Sequence, residues 1–448
     1  MAKKGWVSKM GETHPDFDLE RVPSDKRMSW WPLLVMFLGY TAIIAPSFAG
    51  SDAMVGLTMG QFIPAIIVGV LIIALMMIVS GFIAKREGLS FGTLSRNAFG
   101  RLGITVPLFI LGITTVGWLS VDSFMVGSMS RALLGGGTTF LHWGFFVGPV
   151  IILAIGAYAV LRGIHGPKWV AYVTVPVMAG LFIWVIVELI SRGGGWTGIM
   201  AYAPPAPFSM AFGIMLVSAT FITSGINCGD FVRYAKDWKG VVFGFPLAVV
   251  VMIGLCVFTG ALSVIVLEQW GIADMALALG GVIGAVAITV AFIMVLNSAA
   301  PAIYEASIEI GIAFWITKHR IVLAVVPFML VMACVIDYIG APDFMFMFLP
   351  FLAATATAFG GVLWADYWMV NKGKYPSPHL LTRKINWVAV IVWLGASYFN
   401  WWTAEQAMDP TVGLSYGIPG LNGLILAFLL YWGIMRIWPP APLTEEGT

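Results

Sequence analysis

Apolar residues run in blocks of about 18 or more along nearly the whole chain, and short polar stretches separate them. A block of that length crosses the roughly 30 Å hydrocarbon core as a helix. In lipid a helix satisfies its own backbone polar groups. Twelve blocks are read, at 30–57, 61–84, 103–133, 143–161, 167–191, 208–228, 241–266, 279–315, 320–339, 343–370, 385–402 and 417–438. A soluble helical core would show a polar face on most helices, and these blocks mostly lack one. The pattern predicts an all-α integral membrane protein with about twelve transmembrane helices. The block at 279–315 is longer than a bilayer needs, so it is tilted, broken or extended beyond the membrane.

Composition agrees. Of 448 residues, 60% are hydrophobic and 10% charged, against about 25% charged in soluble domains, and mean hydropathy is +0.93. The distribution of basic residues then sets orientation. Lys85, Arg86, Arg96 and Arg101 follow the second block, Arg162 and Lys168 the fourth, and Arg233, Lys236 and Lys239 the sixth. Lys318 and Arg320 follow the eighth, and Lys372, Lys374, Arg383 and Lys384 the tenth. All share a side with the polar N-terminal stretch that opens at Lys3 and Lys4. The other side holds Arg131 and Arg192, with acids such as Glu268, Asp274 and Glu405. The positive-inside rule predicts a multi-pass protein of the cell membrane with both termini cytoplasmic. The N-terminus has no apolar core of a signal peptide. The bases sit in loops and form no clustered patch, so nucleic acid is not an expected partner; membrane lipid is. Cys228, Cys256 and Cys334 lack metal-ligand spacing and read as small hydrophobes.

Two blocks carry matching interruptions. The first contains Ala45-Pro46-Ser47-Phe48-Ala49-Gly50-Ser51 and the sixth Thr223-Ser224-Gly225-Ile226-Asn227-Cys228-Gly229. Lipid tolerates the freed backbone groups only beside a cavity. An offset of five spans inverts the second copy, and broken helices at corresponding places in inverted halves point to a transporter's binding site. Pro and Gly are also common in membrane helices generally, which is the plainer account of either interruption alone.

Charge inside a span is the other signal. Asp122 lies mid-block, one helical turn after Trp118, on the same face. An ionisable group at that depth costs about 2.5–3.5 kcal/mol on the insertion scale, which makes it a candidate functional group. The alternative is a protonated Asp bonded to a neighbouring helix. Together Trp118 and Asp122 offer a flat face and a polar edge to a planar heterocycle. Asn297 either binds substrate or joins helices by a hydrogen bond. Glu305 and Glu309 share one face nearer the basic side and are expected to pair with loop bases. Asp230 and Arg233, after the sixth block's break, read as a local ion pair or gate contact, and Asp366 lies near the same side. No P-loop, zinc-helix or nucleophile-elbow motif is present, so neither an enzyme nor an ATP-driven pump is expected.

The segment Gly225-Ile226-Asn227-Cys228-Gly229-Asp230-Phe231-Val232-Arg233-Tyr234 resembles a signature of the nucleobase–cation symporter-1 family. So do Gly361-Val362-Leu363-Trp364-Ala365-Asp366-Tyr367 with the basic Asn371–Tyr375 run, Thr115-Val116-Gly117-Trp118 and Val35-Met36-Phe37-Leu38-Gly39. The resemblance implies a five-plus-five inverted repeat of the leucine-transporter type with two further C-terminal helices. The first repeat would span 30–191, the second 208–370 and the extra pair 385–438, between tails at 1–29 and 439–448. It implies a secondary transporter whose substrate ring stacks on Trp118, flanked by Phe221 and Ser224. At the position of Asp122 hydantoin transporters of the family carry Gln, so Asp122 is a substrate or proton site here. The coupling cation is Na⁺ or H⁺, with no other cofactor. In sodium-coupled relatives the ion takes carbonyls at positions resembling Gly39, Ala42 and Asn297. The matching hydroxyl positions here are Ala300 and Pro301, which have none, and Ser298 is the nearest hydroxyl. The substrate expected is a nucleobase or related small heterocycle such as cytosine, imported by alternating access. A cationic amine, amino acid or vitamin precursor on the same fold is the alternative, followed by a non-transporting receptor or channel. The oligomeric state is not legible.

Overall fold

A computed structural model describes residues 20–161, 167–375 and 384–438. Lys3, Lys4, Arg162, Arg383, the side chain of Lys168 and the tail at 439–448 lie outside the described residues. The described chain is helical almost throughout and contains no strand. Eight helices are each long and apolar enough to cross a membrane, and a bent pair makes a ninth. The other three blocks correspond to the broken first span, Trp387–Ala407 and the shorter Leu421–Ile437, so twelve crossing elements follow the predicted order.

The first span is α1 (Trp30–Thr41) and α2 (Ser47–Gly56), with a non-helical link at 42–46. The link ends earlier than the small-residue run suggested, because Pro46 caps α2 and proline suits a helix's first turn. The second span is α3 (Met59–Glu87), which starts in a capping box between Thr58 and Gln61 and is followed by the short α4 (Phe91–Phe99). The third is α5 (Thr105–Leu133), the fourth α6 (Trp143–Leu161) and the fifth α7 (Pro167–Arg192).

The sixth span is α8 (Met210–Ala219), α9 (Ile222–Asn227) and α10 (Gly229–Val232). Its main bend, 62°, falls at Thr220–Phe221 rather than at the Gly-rich run beginning at Thr223. Thr220 returns its hydroxyl to the Val217 carbonyl at 2.7 Å, a back-bond that bends helices, and no glycine is needed there. The seventh span ends in α11 (Phe245–Leu267), and α12 (Gly271–Leu279) lies across the following loop. The eighth, α13 (Gly281–Phe314), is one unbroken helix of 34 residues. At 1.5 Å per residue it is about 50 Å long, so its excess length is not a break. α14 (Lys318–Ile339), α15 (Ala341–Trp364), α16 (Trp387–Ala407) and α17 (Leu421–Ile437) complete the chain.

α5 and α13 run along each other through the centre, with α6 and α14 packed on them. Residues Thr114 to Arg131 of α5 are buried almost without exception. Asp122 therefore faces protein, not lipid, as intramembrane charges do. The second half of the first span, α2, leans on α11 through glycines. A Cβ on Gly50 would strike the Val257 carbonyl, and one on Gly260 the Ser47 carbonyl. This backbone approach lets Ser51 Oγ donate to the Gly260 carbonyl at 3.0 Å. The same half of the span holds the α12 region. Trp270 Nε1 donates to Asp52 at 2.9 Å, and the amides of Gly271 and Ile272 donate to Ser51 and Ser47 at 3.0 Å each.

On the side that carries the basic loops, residues 20–29 form a strap. Val22 N donates to the Gly88 carbonyl at 2.8 Å, and Met28 N to the Tyr234 carbonyl at 2.7 Å. Lys236 N returns to the Met28 carbonyl at 2.8 Å, Arg27 reaches the Lys85 carbonyl, and Arg21 pairs with Glu87 at 2.9 Å. The strap joins the end of the second span to the end of the sixth.

Gly260→Ala is expected to destabilise the protein by about 1–3 kcal/mol, as overpacking against an immovable backbone does. Thermal unfolding in detergent would show it as a lower Tm.

Candidate functional site

The link at 42–46 and the bend at Thr220–Phe221 bound one small cavity. Each helix contributes at helical spacing. α5 supplies Thr115, Trp118 and Asp122; the sixth span supplies Thr220, Phe221 and Ser224; α13 supplies Ser298, Ala302 and Glu305; and the last turn of α1 supplies Tyr40.

Trp118 is 7% exposed and is set against Phe348 of α15, edge to face, with centroids 5.3 Å apart. Its indole N–H has no partner. Phe221 belongs to an aromatic group with Tyr40 and Phe245, at centroid distances of 5.8 and 6.0 Å. Asp122 Oδ1 accepts from the Ala45 amide in the first span's link at 2.9 Å, and the Ile44 amide and Ser298 hydroxyl lie near the same carboxyl group. Asp122 thus caps the backbone group that the link leaves free.

The expectation that Glu305 and Glu309 pair with loop bases is corrected by the structure. Both are buried in the interior. Glu305 Oε2 accepts from the Tyr40 hydroxyl, while Oε1 has no partner. Glu309 Oε1 accepts from Asn227 Nδ2 at 2.6 Å. The signal was available, since Ser298, Ala302 and Glu305 stand at i, i+4 and i+7 and so share one face. Tyr40, Thr115, Thr220 and Thr223 also line the cavity and carry no distinguishing signal in a sequence rich in such residues.

Asn297 is buried with its amide nitrogen 3.6 Å from Met178 Sδ; its neighbour Ser298 lines the cavity instead. Gly39 and Ala42 fall in the last turn and cap of α1, where carbonyls run out of helical partners. Ser298 Oγ donates to the Val295 carbonyl at 3.1 Å. Among the described residues no group of three His, Cys, Asp or Glu is arranged to hold a metal ion. Cys256 donates to the Ile43 carbonyl at 3.1 Å and Cys228 to the Met77 carbonyl at 3.5 Å, so both thiols act as weak donors within the packing.

Toward the basic side, Asp230 Oδ1 accepts from the Phe91 amide at 2.8 Å, and Arg233 Nε donates to the Asp230 carbonyl at 3.1 Å. Asp366 accepts from the hydroxyls of Tyr375 at 2.8 Å and Tyr431 at 2.7 Å, which ties the end of the tenth span to α17. Burial, and then the adjacent Asp366 carboxylate, push the Tyr375 phenol well above its ordinary value, so it remains a donor at neutral pH.

This geometry, with two broken helices facing each other across a small polar and aromatic cavity inside a twelve-helix membrane protein, defines a secondary transporter fold. Residues 21–421 match the profile of the family described as permease for cytosine/purines, uracil, thiamine, allantoin. The chain belongs to this family, the nucleobase–cation symporter-1 family, whose members are permeases and not enzymes. It is 27% identical to cytosine permease of Escherichia coli (strain K12) over 422 residues, covering 91% of this chain and 95% of that one. It is 23% identical to allantoin permease of Bacillus subtilis (strain 168), covering 90% and 89%. Its fold superimposes with a TM-score of 0.76, at 18% identity and 97% coverage of both chains, on Mhp1, a nucleobase–cation-symport-1 family transporter in a closed conformation with bromovinylhydantoin bound. A Na⁺-coupled sialic acid symporter gives a TM-score of 0.62 at 10% identity, covering 98% of this chain and 97% of that one. The five-plus-five inverted repeat with two added helices is therefore this chain's fold.

Asp122→Asn keeps an acceptor for the Ala45 amide and is expected to unfold close to wild type. Asp122→Leu orphans that buried amide and is expected to lose about 1–3 kcal/mol, which differential thermal unfolding would resolve. The stability supplied by Tyr375 is expected to be full at neutral pH, because a raised phenol pKa costs nothing until the unfolded chain ionises at about 10. The stability gap between wild type and Tyr375→Phe should hold constant through neutral pH and shrink only above that value.

Proposed function

We propose that this protein imports a nucleobase or related small heterocycle such as cytosine by alternating access, driven by a Na⁺ or H⁺ gradient. The observation that carries the proposal is the cavity at the two helix breaks, with Trp118 and Phe221 as its aromatic surfaces, in a chain of the permease family. The ring stacks on Trp118 beside Phe221 and Ser224, and Asp122 reads its polar edge or carries a proton. Gly39, Ala42 and Ser298, with Asn297 beside them, are the positions for a coupling cation between the first and eighth spans. Broken-helix carbonyls serve that purpose in transporters of inverted-repeat design.

Binding of ring and cation favours the closed state, and the two repeats then rock to expose the cavity to the opposite side. Asp230, Arg233 and Asp366 hold the basic side together while it is closed. The loop bases support placing that side and both termini in the cytoplasm of a cell-membrane protein. A cationic amine cargo remains the second reading, favoured by the carboxyl groups around Trp118 and by cation–π attraction.

Labelled cytosine should enter proteoliposomes saturably, compete with unlabelled heterocycles and follow one imposed gradient. Trp118→Ala should weaken binding roughly ten- to hundredfold, since stacking a base on an aromatic side chain contributes about 1–3 kcal/mol. Unchanged transport and pH dependence in Asp122→Asn would remove Asp122 from both substrate and proton roles.

A further inference from the structure

We infer that Glu305 and Glu309 of α13, with Asn227 of the sixth span, form the site that carries the coupling proton. The proton is held among them in this conformation and leaves when the broken spans move away from α13. The inference rests on the transport reading above and commits its driving cation to H⁺ at a stated place.

The two carboxyl groups stand one turn apart on one face of a membrane helix and are 1% and 0% exposed. Each has a single donor. The Tyr40 hydroxyl bonds Glu305 Oε2, and Asn227 Nδ2 bonds Glu309 Oε1 at 2.6 Å. Three buried oxygens are left over, Glu305 Oε1, Glu309 Oε2 and Asn227 Oδ1, and none of them has a donor. Ionised carboxylates and an amide oxygen only accept hydrogen bonds, so two charged carboxylates leave all three orphaned. A proton changes that count. A protonated carboxyl group gains an O–H donor, which it can give to the amide oxygen or to the second carboxyl group. One proton thus removes a buried charge and serves a buried acceptor together.

The surroundings supply no counter-charge. Cys228 and Asp230 face the pair from the sixth span and Tyr40 from α1. α5 meets Glu309 at Gly112, and its Asp122 lies further along the cavity wall. The bases of this region are placed on aromatic residues. Arg233 Nη2 sits 3.4 Å from the Tyr304 hydroxyl, Lys318 Nζ lies 4.2 Å above the Tyr304 ring, and Arg96 lies 4.3 Å above Trp315. Among the described residues no base forms an ion pair with either carboxyl group. Two like charges that share a site do not both ionise readily. No group of three His, Cys, Asp or Glu among the described residues is arranged around a metal ion, so a proton is the cation that fits these oxygens.

The placement also gives the proton a route. Glu305 lines the cavity, and Glu309 lies one turn nearer the end of α13 that meets the basic loop at Lys318. Both carboxyl groups belong to the unbroken α13, whereas their partners Tyr40 and Asn227 belong to the two broken spans. Movement of the broken spans against α13 parts both contacts and opens the carboxyl groups to water. On the side of entry a carboxylate takes a proton from water and an O–H bond forms. On the other side that bond breaks, the proton returns to water, and the carboxylate is left for the next cycle.

The test uses the purified full-length protein in proteoliposomes that enclose a pH-sensitive dye. Labelled cytosine, uracil and allantoin are offered in turn under imposed H⁺ or Na⁺ gradients. Wild type is expected to accumulate its cargo under an inward H⁺ gradient, and the lumen to acidify faster when that cargo is present. Glu309→Gln keeps the side-chain shape but carries no exchangeable acid proton. It is expected to lower driven accumulation about tenfold, within the usual range of coupling between two sites. Exchange of labelled for unlabelled cargo needs no net proton movement and should stay within about threefold of wild type in that variant. A second readout needs no cargo. The infrared difference spectrum at neutral pH between wild type and the double variant Glu305→Gln, Glu309→Gln should contain the carbonyl band of a protonated carboxylic acid. Thermal unfolding shows whether each variant is folded; where one is not, wild-type uptake and acidification decide. Accumulation that follows Na⁺ without acidification overturns this inference and leaves the transporter reading standing. So does a folded Glu309→Gln that keeps driven accumulation or loses exchange as well, and so does a difference spectrum with carboxylate bands alone. No uptake and no exchange of any of the three cargoes overturns both.

Discussion

The hydrogen bond from the Ala45 amide to Asp122 is the contact on which the site depends. A helix that breaks inside a membrane exposes backbone donors and acceptors that lipid cannot satisfy. Here the third span supplies a partner, the Asp122 carboxyl group, for an amide of the link in the first span. The same carboxyl group lines the cavity beside Trp118. Support of the backbone and a place on the cavity wall thus meet on one residue.

Around that point the protein uses close backbone approach where a soluble protein would use bulk. Gly50 and Gly260 let α2 touch α11, which suits an environment without a hydrophobic drive between helices. The hydroxyls of Ser47 and Ser51 then serve as acceptors for the loop leading into α12. The aromatic group of Tyr40, Phe221 and Phe245 fixes the opposite wall. These contacts give the cavity a shape before any ligand arrives, with its polar atoms oriented by their own helices.

Much of this was legible in the order of residues. Long apolar blocks, the sided distribution of Lys and Arg and the paired interruptions pointed to a twelve-span inverted repeat. Asp122 stood out because a charge in such a block is costly. The exact breaks were not legible, because Pro46 acted as a helix start and the sixth-span bend came from a Thr back-bond and not from the adjacent Gly225. Distance from a loop does not give the depth of Glu305; its helical register with Ser298 and Ala302 is the better guide. Asn297 showed the opposite limit, since one residue of register on a helix decides between the cavity and the neighbouring Met178.

The strap at residues 20–29 has a consequence of a different kind. Three of its ties, through Val22, Met28 and Lys236, run from backbone to backbone, and such bonds carry no information about side-chain identity. The strap's attachment can therefore persist while the residues that form it drift, provided the extended path of the chain is kept. Selection on the strap would act on its length and on the absence of proline at its donating amides. Two relatives could share this latch and show no common motif across it.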